Sequence, residues 1–245
     1  MEFQANEGKA VLIEAGGKKY ARHAIKTHFV QVGESYIDLI EKYVKPLYRP
    51  GDLLSSSEKV IALCQGRVVT EEECKPGFWA TFLSKFVHQT SAGPGMGLPI
   101  KMQFAINICG LGKVIWAALC AGVCKLFGRK GVFYEMLGVE VTGLDGFYGE
   151  DIPEYEHMGV RVPSDPSGVC DEIYEKAGVT MMIVDANDLN VEILVKASSI
   201  TLPDETLKAL IRDNPAGQDR QLTPFVLIRE VTEPEQETET PETAE

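Results

Sequence analysis

The fold class of this chain is read from residues 181–190, MMIVDANDLN. Four apolar residues, bounded upstream by Gly178 and downstream by turn-forming residues, predict a strand that is buried on both faces. Ligand sites in α/β sheets lie beyond the carboxyl ends of such strands. The oxygen donors Asp185, Asn187 and Asp188 are therefore candidate ligands of a hard cation, Mg²⁺ or Mn²⁺. An Asx-rich turn without metal is the alternative, because Asn and Asp also favour turns for backbone reasons.

The segments around this strand alternate between strand-like and helix-like patterns. Apolar runs at 9–15 and 20–32, separated by a Gly-Gly turn, predict a hairpin, and the spacing over 35–44 predicts an amphipathic helix. The other predicted elements are a strand from 52, a strand over 132–141, a helix to 176 capped by Asp165 or Ser164, a helix over 202–212 capped by Asp204 or Thr201, and a strand over 225–229. Together they predict an α+β (mixed α/β) fold with a mixed β-sheet flanked by helices.

Composition separates a folded body from an acidic tail. The chain has 245 residues, 44% of them hydrophobic, which is enough for a sizeable core. Its net charge is −12, and residues 230–245 contain seven Glu and no Lys or Arg, so the remainder carries −5. We interpret 230–245 as a disordered tail and 1–229 as one domain. No basic surface is indicated, so we expect no nucleic-acid partner.

Cysteine usage and the N-terminus indicate a cytoplasmic protein. The six cysteines are scattered without a C-x-x-C pair, so we interpret them as reduced thiols. The first 20 residues include three Glu and lack a continuous apolar segment, which excludes a secretory signal from this stretch.

Residues 102–127 are apolar except for two amides and two lysines. The longest uncharged piece, 114–124, is well short of the roughly 20 residues that a bilayer span needs. We therefore interpret the segment as a buried core helix, expect Trp79 and Trp116 in the core, and expect no membrane partner. A peripheral membrane protein that uses this segment is a third hypothesis beside the two given below.

Five short motifs resemble the gamma-glutamyl ligase family that attaches glutamate to coenzyme F420-0. The most specific is GDLLSSSEKVIALCQGR at 51–67, which is similar to that family's most recognisable block without a gap. The others are THFVQVGE at 27–34, GLD at 143–145, VDAN at 184–187, and NPAGQD at 214–219 followed by Pro224. The resemblance covers most of residues 24–230, with 86–140 as an inserted or rearranged subdomain.

The resemblance implies a GTP- and metal-dependent ligase. In that family GTP and a divalent metal activate a carboxylate as an acyl phosphate, which the amine of L-glutamate attacks. The acceptor implied is an intracellular carboxylated small molecule such as F420-0 or a folate, and the protein implied is a homodimer. The implied metal ligands are Asp145 and Asp185, and the oxygen-donor pattern after the strand adds Asn187 and Asp188 as candidates. The implied nucleotide-binding residues are His28, Phe29, Val30, Gln31, Ser57, Glu58, Lys59, Arg67, Gln218 and Asp219.

Departures from the family pattern support an alternative. Leu63 and Gln65 replace a basic residue and a glutamate that the family usually carries, and Gln218 stands where a carboxylate ligand is expected. The alternative is a catalytically lapsed nucleotide-binding or interaction protein of the same fold. Two single residues also keep two interpretations: His28 contacts nucleotide or is an ordinary packing residue, and Arg67 binds phosphate or pairs with a carboxylate.

Overall fold

The computed structural model describes residues 2–87, 95–147, 156–186, 191–217 and 221–231, which form a mixed α+β structure. The strands are β1 (Leu12–Ala15), β2 (Lys18–Ile25), β3 (Leu53–Ser57), β4 (Val68–Thr70), β5 (Asp145–Gly146), β6 (Met158–Val160), β7 (Met181–Ala186), β8 (Val191–Lys196) and β9 (Phe225–Val231). The helices are α1 (Tyr36–Leu39, continued by a π-helical turn, Ile40–Val44), α2 (Glu58–Cys64), α3 (Phe78–Ser84), α4 (Pro99–Cys109), α5 (Leu111–Leu126), α6 (Val132–Leu137), α7 (Val139–Thr142), α8 (Pro166–Ala177) and α9 (Asp204–Ile211).

The larger sheet has six strands in the order β1-β2-β9-β3-β7-β8. Strands β3 and β7 are parallel, with Leu54 opposite Met181 and Ser57 opposite Val184, and the other neighbours in this sheet are antiparallel. The strand predicted at 181 is confirmed as β7, and its first four residues are buried. The mixed sheet is thus present, and the carboxyl ends of β3 and β7 lie side by side.

One hydrophobic cluster fixes the position of these two strands. It joins Leu54, Ile183 and Leu227 of the sheet to buried side chains of α2, α8 and α9, namely Ile61, Ile173 and Leu207. Each such side chain contributes about 1.5–3 kcal/mol when it leaves water. The residues that follow β3 and β7 are therefore carried on a well-packed support.

The helices between β4 and β5 have a core of their own. It is formed by small and apolar side chains from α3 to α7, including Ala80, Met102, Ala105, Val114 and Leu137. The short strands β4, β6 and β5 form a separate antiparallel sheet, and Val160 of β6 packs against Ala62 and Leu63 of α2. This contact brings the small sheet, and Asp145 at its edge, towards α2.

The prediction of a strand over 132–141 is wrong, because this segment forms α6 and α7. Burial along 132–137 does not alternate as in a strand, because Val132 and Leu137 are buried and Phe133, Tyr134 and Met136 are all half-buried. Gly138, with φ at +87°, separates the two helices. The valines and aromatic residues of this segment suggested a strand, but packing against α4 and α5 determines the helical form.

The prediction that 102–127 forms one buried core helix is also wrong. The segment is divided at Gly110 into α4 and α5, whose axes differ by 114°. Trp116 is 60% exposed and Trp79 is 45% exposed, so neither tryptophan is in the core. Among the described residues no single helix is long and apolar enough to cross a bilayer, whereas α4 and α5 reach the required length and composition only as this bent pair.

Helix ends and the C-terminal boundary were partly predicted. Asp165 caps α8 by accepting a hydrogen bond from the Gly168 backbone N–H at 3.0 Å, as expected. In α9 the cap position is Pro203 without a side-chain hydrogen bond, and Asp204 instead pairs with Lys196 at 2.6 Å. Strand β9 continues to Val231, so the boundary predicted at 230 is two residues too early, and residues 232–245 lie outside the described ranges.

Candidate functional site

The carboxyl ends of β3 and β7 present Glu58 and Asp185 at one end of the large sheet. Ser57 and Val184 are paired across the two strands, and the acidic residue follows immediately in each. Helix α2 begins at Glu58, and the hydroxyl of Ser57 accepts a hydrogen bond from the Lys59 backbone N–H at 3.3 Å. Ser57, expected at a nucleotide, therefore serves in the described structure as the cap of α2.

Lys59 joins this end of the sheet to the small sheet. Its Nζ lies 2.6 Å from Oε1 of Glu58 and 3.7 Å from Oδ2 of Asp145. Asp145 is the first residue of β5, not the end of a long strand as the sequence suggested. Residues from three distant parts of the chain, 58–59, 145 and 185, thus meet in one electrostatic cluster.

The pKa values of Glu58 and Lys59 show the strength of this cluster. Burial raises the pKa of the Glu58 carboxyl; Lys59 opposes the shift, and the charges of Asp185 and Asp145 add to it. Burial alone lowers the pKa of Lys59, but Asp145 and Glu58 outweigh burial, so its pKa is raised. Lys59 is therefore a fixed positive charge among carboxylates, and Glu58 is a carboxyl group held away from water.

Lys101 is a fifth member of the cluster that sequence reasoning missed. It lies on α4 with only 4% of its surface exposed, and its Nζ donates to the Leu144 carbonyl at 3.2 Å. Burial lowers its pKa; Asp145 opposes the shift and Lys59 adds to it. The available signal was a lysine inside the apolar run at 99–102, since a lysine is rarely buried without a purpose or a partner.

An acidic cleft of about 710 Å³ adjoins the cluster. Five carboxylate residues line it, Glu58, Glu140, Asp165, Asp185 and Glu192, together with apolar and small residues from α7, β8 and the segment before α8. The carboxylate of Glu140 is already paired with Arg67 and with Arg161, the latter at 2.8 Å. The cleft therefore favours a ligand that carries positive charge, either its own or that of a bound cation.

The donor set next to Lys59 fits a hard divalent cation in one respect. Asp145 and Asp185 carry carboxylate oxygens, and Mg²⁺ is commonly held by one or two carboxylates with phosphate oxygens and water. No group of three or more Asp, Glu, His or Cys placed to hold a metal occurs among the described residues. Phosphate and water would therefore have to complete the shell around Asp145 and Asp185. Asn187 and Asp188, the other expected ligands, lie outside the described ranges.

The expected nucleotide loop lies beside the other end of α2. Val30 is buried, and Gln31 donates its backbone N–H to Glu34 at 2.6 Å. His28 contacts the hydroxyl of Tyr43 at 2.7 Å and Glu34 at 2.8 Å, and Phe29 accepts from the Gln31 amide at 3.0 Å. The loop is linked to the carboxyl end of α2 by a hydrogen bond from Gly33 to the Leu63 carbonyl.

The remaining implied nucleotide residues are one arginine and two residues of the late loop. Of the two roles expected for Arg67, the structure contains the pairing with a carboxylate. Arg67 pairs with Glu140 and donates to the Val162 carbonyl at 2.9 Å. Gln218 and Asp219 lie outside the described ranges.

Comparison with known proteins found no family model that matches this chain and no match among curated proteins. The resemblance to gamma-glutamyl ligases therefore stays a prediction from the residues quoted above.

Proposed function

We propose that this chain is a nucleotide- and divalent-metal-dependent ligase that joins L-glutamate, through a gamma-glutamyl amide, to a carboxylated small molecule such as F420-0 or a folate. The observation that supports this is the meeting of Lys59, Asp145 and Asp185, which are far apart in sequence and lie together beside Glu58. An ordinary surface ion pair involves two charged side chains. A site that holds both phosphate and a metal ion uses more, with positive side chains for the phosphate oxygens and carboxylates for the cation. We place the reaction in the cytoplasm, where GTP is present, and expect a homodimer.

In this proposal Lys59 binds phosphate and carboxylate oxygens, and Lys101, buried on α4, interacts electrostatically with Asp145 from inside the fold. The acceptor carboxylate and the triphosphate repel each other, so positive charge between them lowers the barrier to their approach. A divalent cation held by Asp145 and Asp185 would add positive charge at the transferred phosphoryl group. Lys59 reaches this position from the first turn of α2, and Glu58 holds its ammonium group there by a 2.6 Å contact.

The acidic cleft suits the second substrate. The ammonium group of L-glutamate is attracted by the carboxylates of Asp165 and Glu192, which line the cleft next to the cluster. The acceptor carboxylate oxygen attacks the γ-phosphorus and the nucleoside diphosphate leaves. The ammonium group loses one proton, the resulting amine nitrogen attacks the acyl carbon and loses a second proton, and inorganic phosphate leaves.

A specific observation favours the lapsed alternative as a second candidate. Gln65, one of the departures from the family pattern, exchanges two hydrogen bonds of 2.8 Å with the backbone of Ser164. Arg67 is likewise held by Glu140. The end of the 51–67 block thus stabilises the fold, as expected if binding was retained after catalysis was lost.

Calorimetric titration with GTP and with ATP, each with and without Mg²⁺ or Mn²⁺, tests the proposal. We expect metal-dependent binding in the micromolar range, about −8 kcal/mol. Asp185→Asn should abolish the metal dependence, whereas Asp171→Asn, a matched change at an exposed position of α8, should not. Thermal melting verifies that both variants are folded.

The outcomes separate the two candidates. Binding that leads to release of inorganic phosphate when glutamate and an acceptor are added supports the ligase. Binding without any turnover across an acceptor screen supports the lapsed protein. No binding of either nucleotide by the folded protein, or equal effects of the two Asp→Asn variants, contradicts the proposed site.

A further inference from the structure

The helical lobe, defined as residues 75–142, which include α3 to α7, has an unusual charge. It contains seven Lys or Arg and two Glu, Glu135 and Glu140, a charge of +5, and it has no Asp or Glu over 75–134. Subtracting +5 from the chain total of −12 leaves −17 for all other residues. Positive charge is thus concentrated in one part of an otherwise strongly acidic protein.

The same lobe exposes large apolar side chains in a regular pattern. On α5 and just after it, Trp116, Leu119, Val123, Leu126 and Phe127 are 55% to 85% exposed. Their spacing of three, four, three and one positions places them within about a third of the helix circumference, so they form one stripe. On the opposite side of α5, Val114 and Ala117 are fully buried in the core of the lobe. The stripe is therefore not part of that core.

A second exposed group lies on α3 and at its end. Phe78, Trp79, Phe82 and Phe86 are 43% to 74% exposed, and their rings contact one another with centroids 5.1 to 6.2 Å apart. A solvated helix rarely carries so many aromatic side chains outward, and exposed apolar patches of this kind mark sites of interaction.

Basic side chains lie at both ends of the stripe. Lys113 precedes it in the first turn of α5, and Arg129 and Lys130 follow its last residue, whereas Lys125 lies three turns beyond Val114 on the opposite side of α5. All four are exposed, and Arg129 pairs with Glu135 of α6 at 2.8 Å. An apolar helical face with Trp and Phe, flanked by Lys and Arg, matches the chemistry of an anionic lipid surface, in which rings enter the acyl boundary and cations meet headgroup phosphates.

We propose that the helical lobe binds the surface of an anionic bilayer through the exposed stripe of α5, with Lys113 and Lys130 on the headgroups. The helix lies in the interface and does not cross it: α5 has 16 residues, and α4 turns away from it by 114°. This adds a membrane-bound location to the proposed function and does not depend on it.

Tryptophan fluorescence tests the proposal directly, because the chain has two tryptophans and both are in the lobe. In Trp79→Phe the only remaining tryptophan is Trp116. Adding phosphatidylglycerol–phosphatidylcholine vesicles should shift its emission to the blue and make it accessible to quenching by brominated acyl chains. Pure phosphatidylcholine vesicles should have at least tenfold less effect, and high salt should reverse the shift.

Matched variants separate the two contributions in a vesicle flotation assay. Lys113→Gln/Lys130→Gln should weaken partitioning by about 30-fold, from about fivefold per basic residue, whereas Lys26→Gln/Lys42→Gln, an equal charge change outside the lobe, should not. Leu126→Ser/Phe127→Ser should also release the protein, and Leu12→Ser/Tyr174→Ser, at exposed apolar positions elsewhere, should not.

Three results would overturn the inference. They are absence of binding to anionic vesicles, equal loss in the lobe variants and their controls, and a stable dimer that buries Trp116 without lipid, as judged by light scattering and acrylamide quenching. The last result would assign the stripe to a second copy of the chain instead.

Discussion

The pairing of Glu58 with Lys59 predicts a stability that depends on pH in a defined way. Lys59→Met removes the ammonium group 2.6 Å from a carboxyl that is 3% exposed. The buried carboxyl then has to be ionised without its partner or to be protonated, and both states reduce the free energy of unfolding at neutral pH.

Protonation sets an upper limit to this loss. An ordinary Glu has a pKa of 4.5, and each pH unit above that value costs about 1.4 kcal/mol to keep the group protonated. The ceiling is therefore about 5 kcal/mol at pH 8 and about 1.4 kcal/mol at pH 5.5. The pKa of Glu58 is already raised in the wild-type protein, so the wild-type fold already carries part of this cost. The variant therefore loses less than the upper limit. We expect the variant to lose about 2–4 kcal/mol at pH 8 and less than about 1 kcal/mol at pH 5.5.

The sign follows from proton binding. A folded-state pKa above the unfolded value means that the folded protein holds more protons, so stability falls as pH rises from 4.5 through the folded pKa. Urea unfolding at pH 5.5 and 8 measures this. Lys176→Met is the control, since Lys176 pairs with Glu172 at 2.5 Å on an exposed surface and should change stability by about 0.5 kcal/mol at most. Glu58→Gln added to Lys59→Met should remove the pH dependence. A loss of equal size at both pH values, or one that Glu58→Gln leaves unchanged, would refute the reasoning.

Three further predictions concern the support of the site. Arg22 is 1% exposed and donates to Asp213, to the Leu210 carbonyl at 2.9 Å and to the Ala10 carbonyl, so Arg22→Met should destabilise by about 2–4 kcal/mol. The exposed Lys18→Met, which breaks a pair with Glu230, should change stability by less than about 1 kcal/mol in the same urea assay. In Gly146→Ala the new Cβ would meet the Met158 carbonyl oxygen at 2.2 Å and displace Asp145, so nucleotide binding should fall with stability. Gly17→Ala, also at positive φ but with open space around it, should retain binding in calorimetry. Burial raises the pKa of Glu140, but Arg161 and Arg67 outweigh burial, so the pKa is lowered. The stability that ionised Glu140 gives to the fold is therefore lost as pH falls below 4.5. Glu140→Gln should flatten the decline of melting temperature between pH 5 and 3, and an unchanged decline would contradict this pairing.

Local pattern was sufficient where one physical effect decided the outcome. Four apolar residues followed by acidic ones fixed β7, and the Asp165-Pro166 start and Gly178 end fixed α8. It was insufficient for Asp145, which was expected after a long strand and instead begins a two-residue strand after α7. Its contact with Lys59 depends on how the small sheet packs on α2, and no local pattern contains that information. Lys101 was missed for the same reason, because its burial is a property of the assembled fold.

The helical lobe shows a second limit of local pattern. Apolar composition over 102–127 indicates that the segment is driven out of water, but not which surface covers it. Half of α5 is covered by the core of the lobe, and its other half, with Trp116 and Leu119, is exposed in the isolated chain. The sequence did contain a distinguishing signal, the absence of Asp and Glu from 75–134. A core helix gains nothing from the sign of charges around it, whereas a helix that meets an anionic surface is repelled by every carboxylate nearby. Charge sign along the chain is thus the sequence property that separates a buried apolar helix from one covered by lipid.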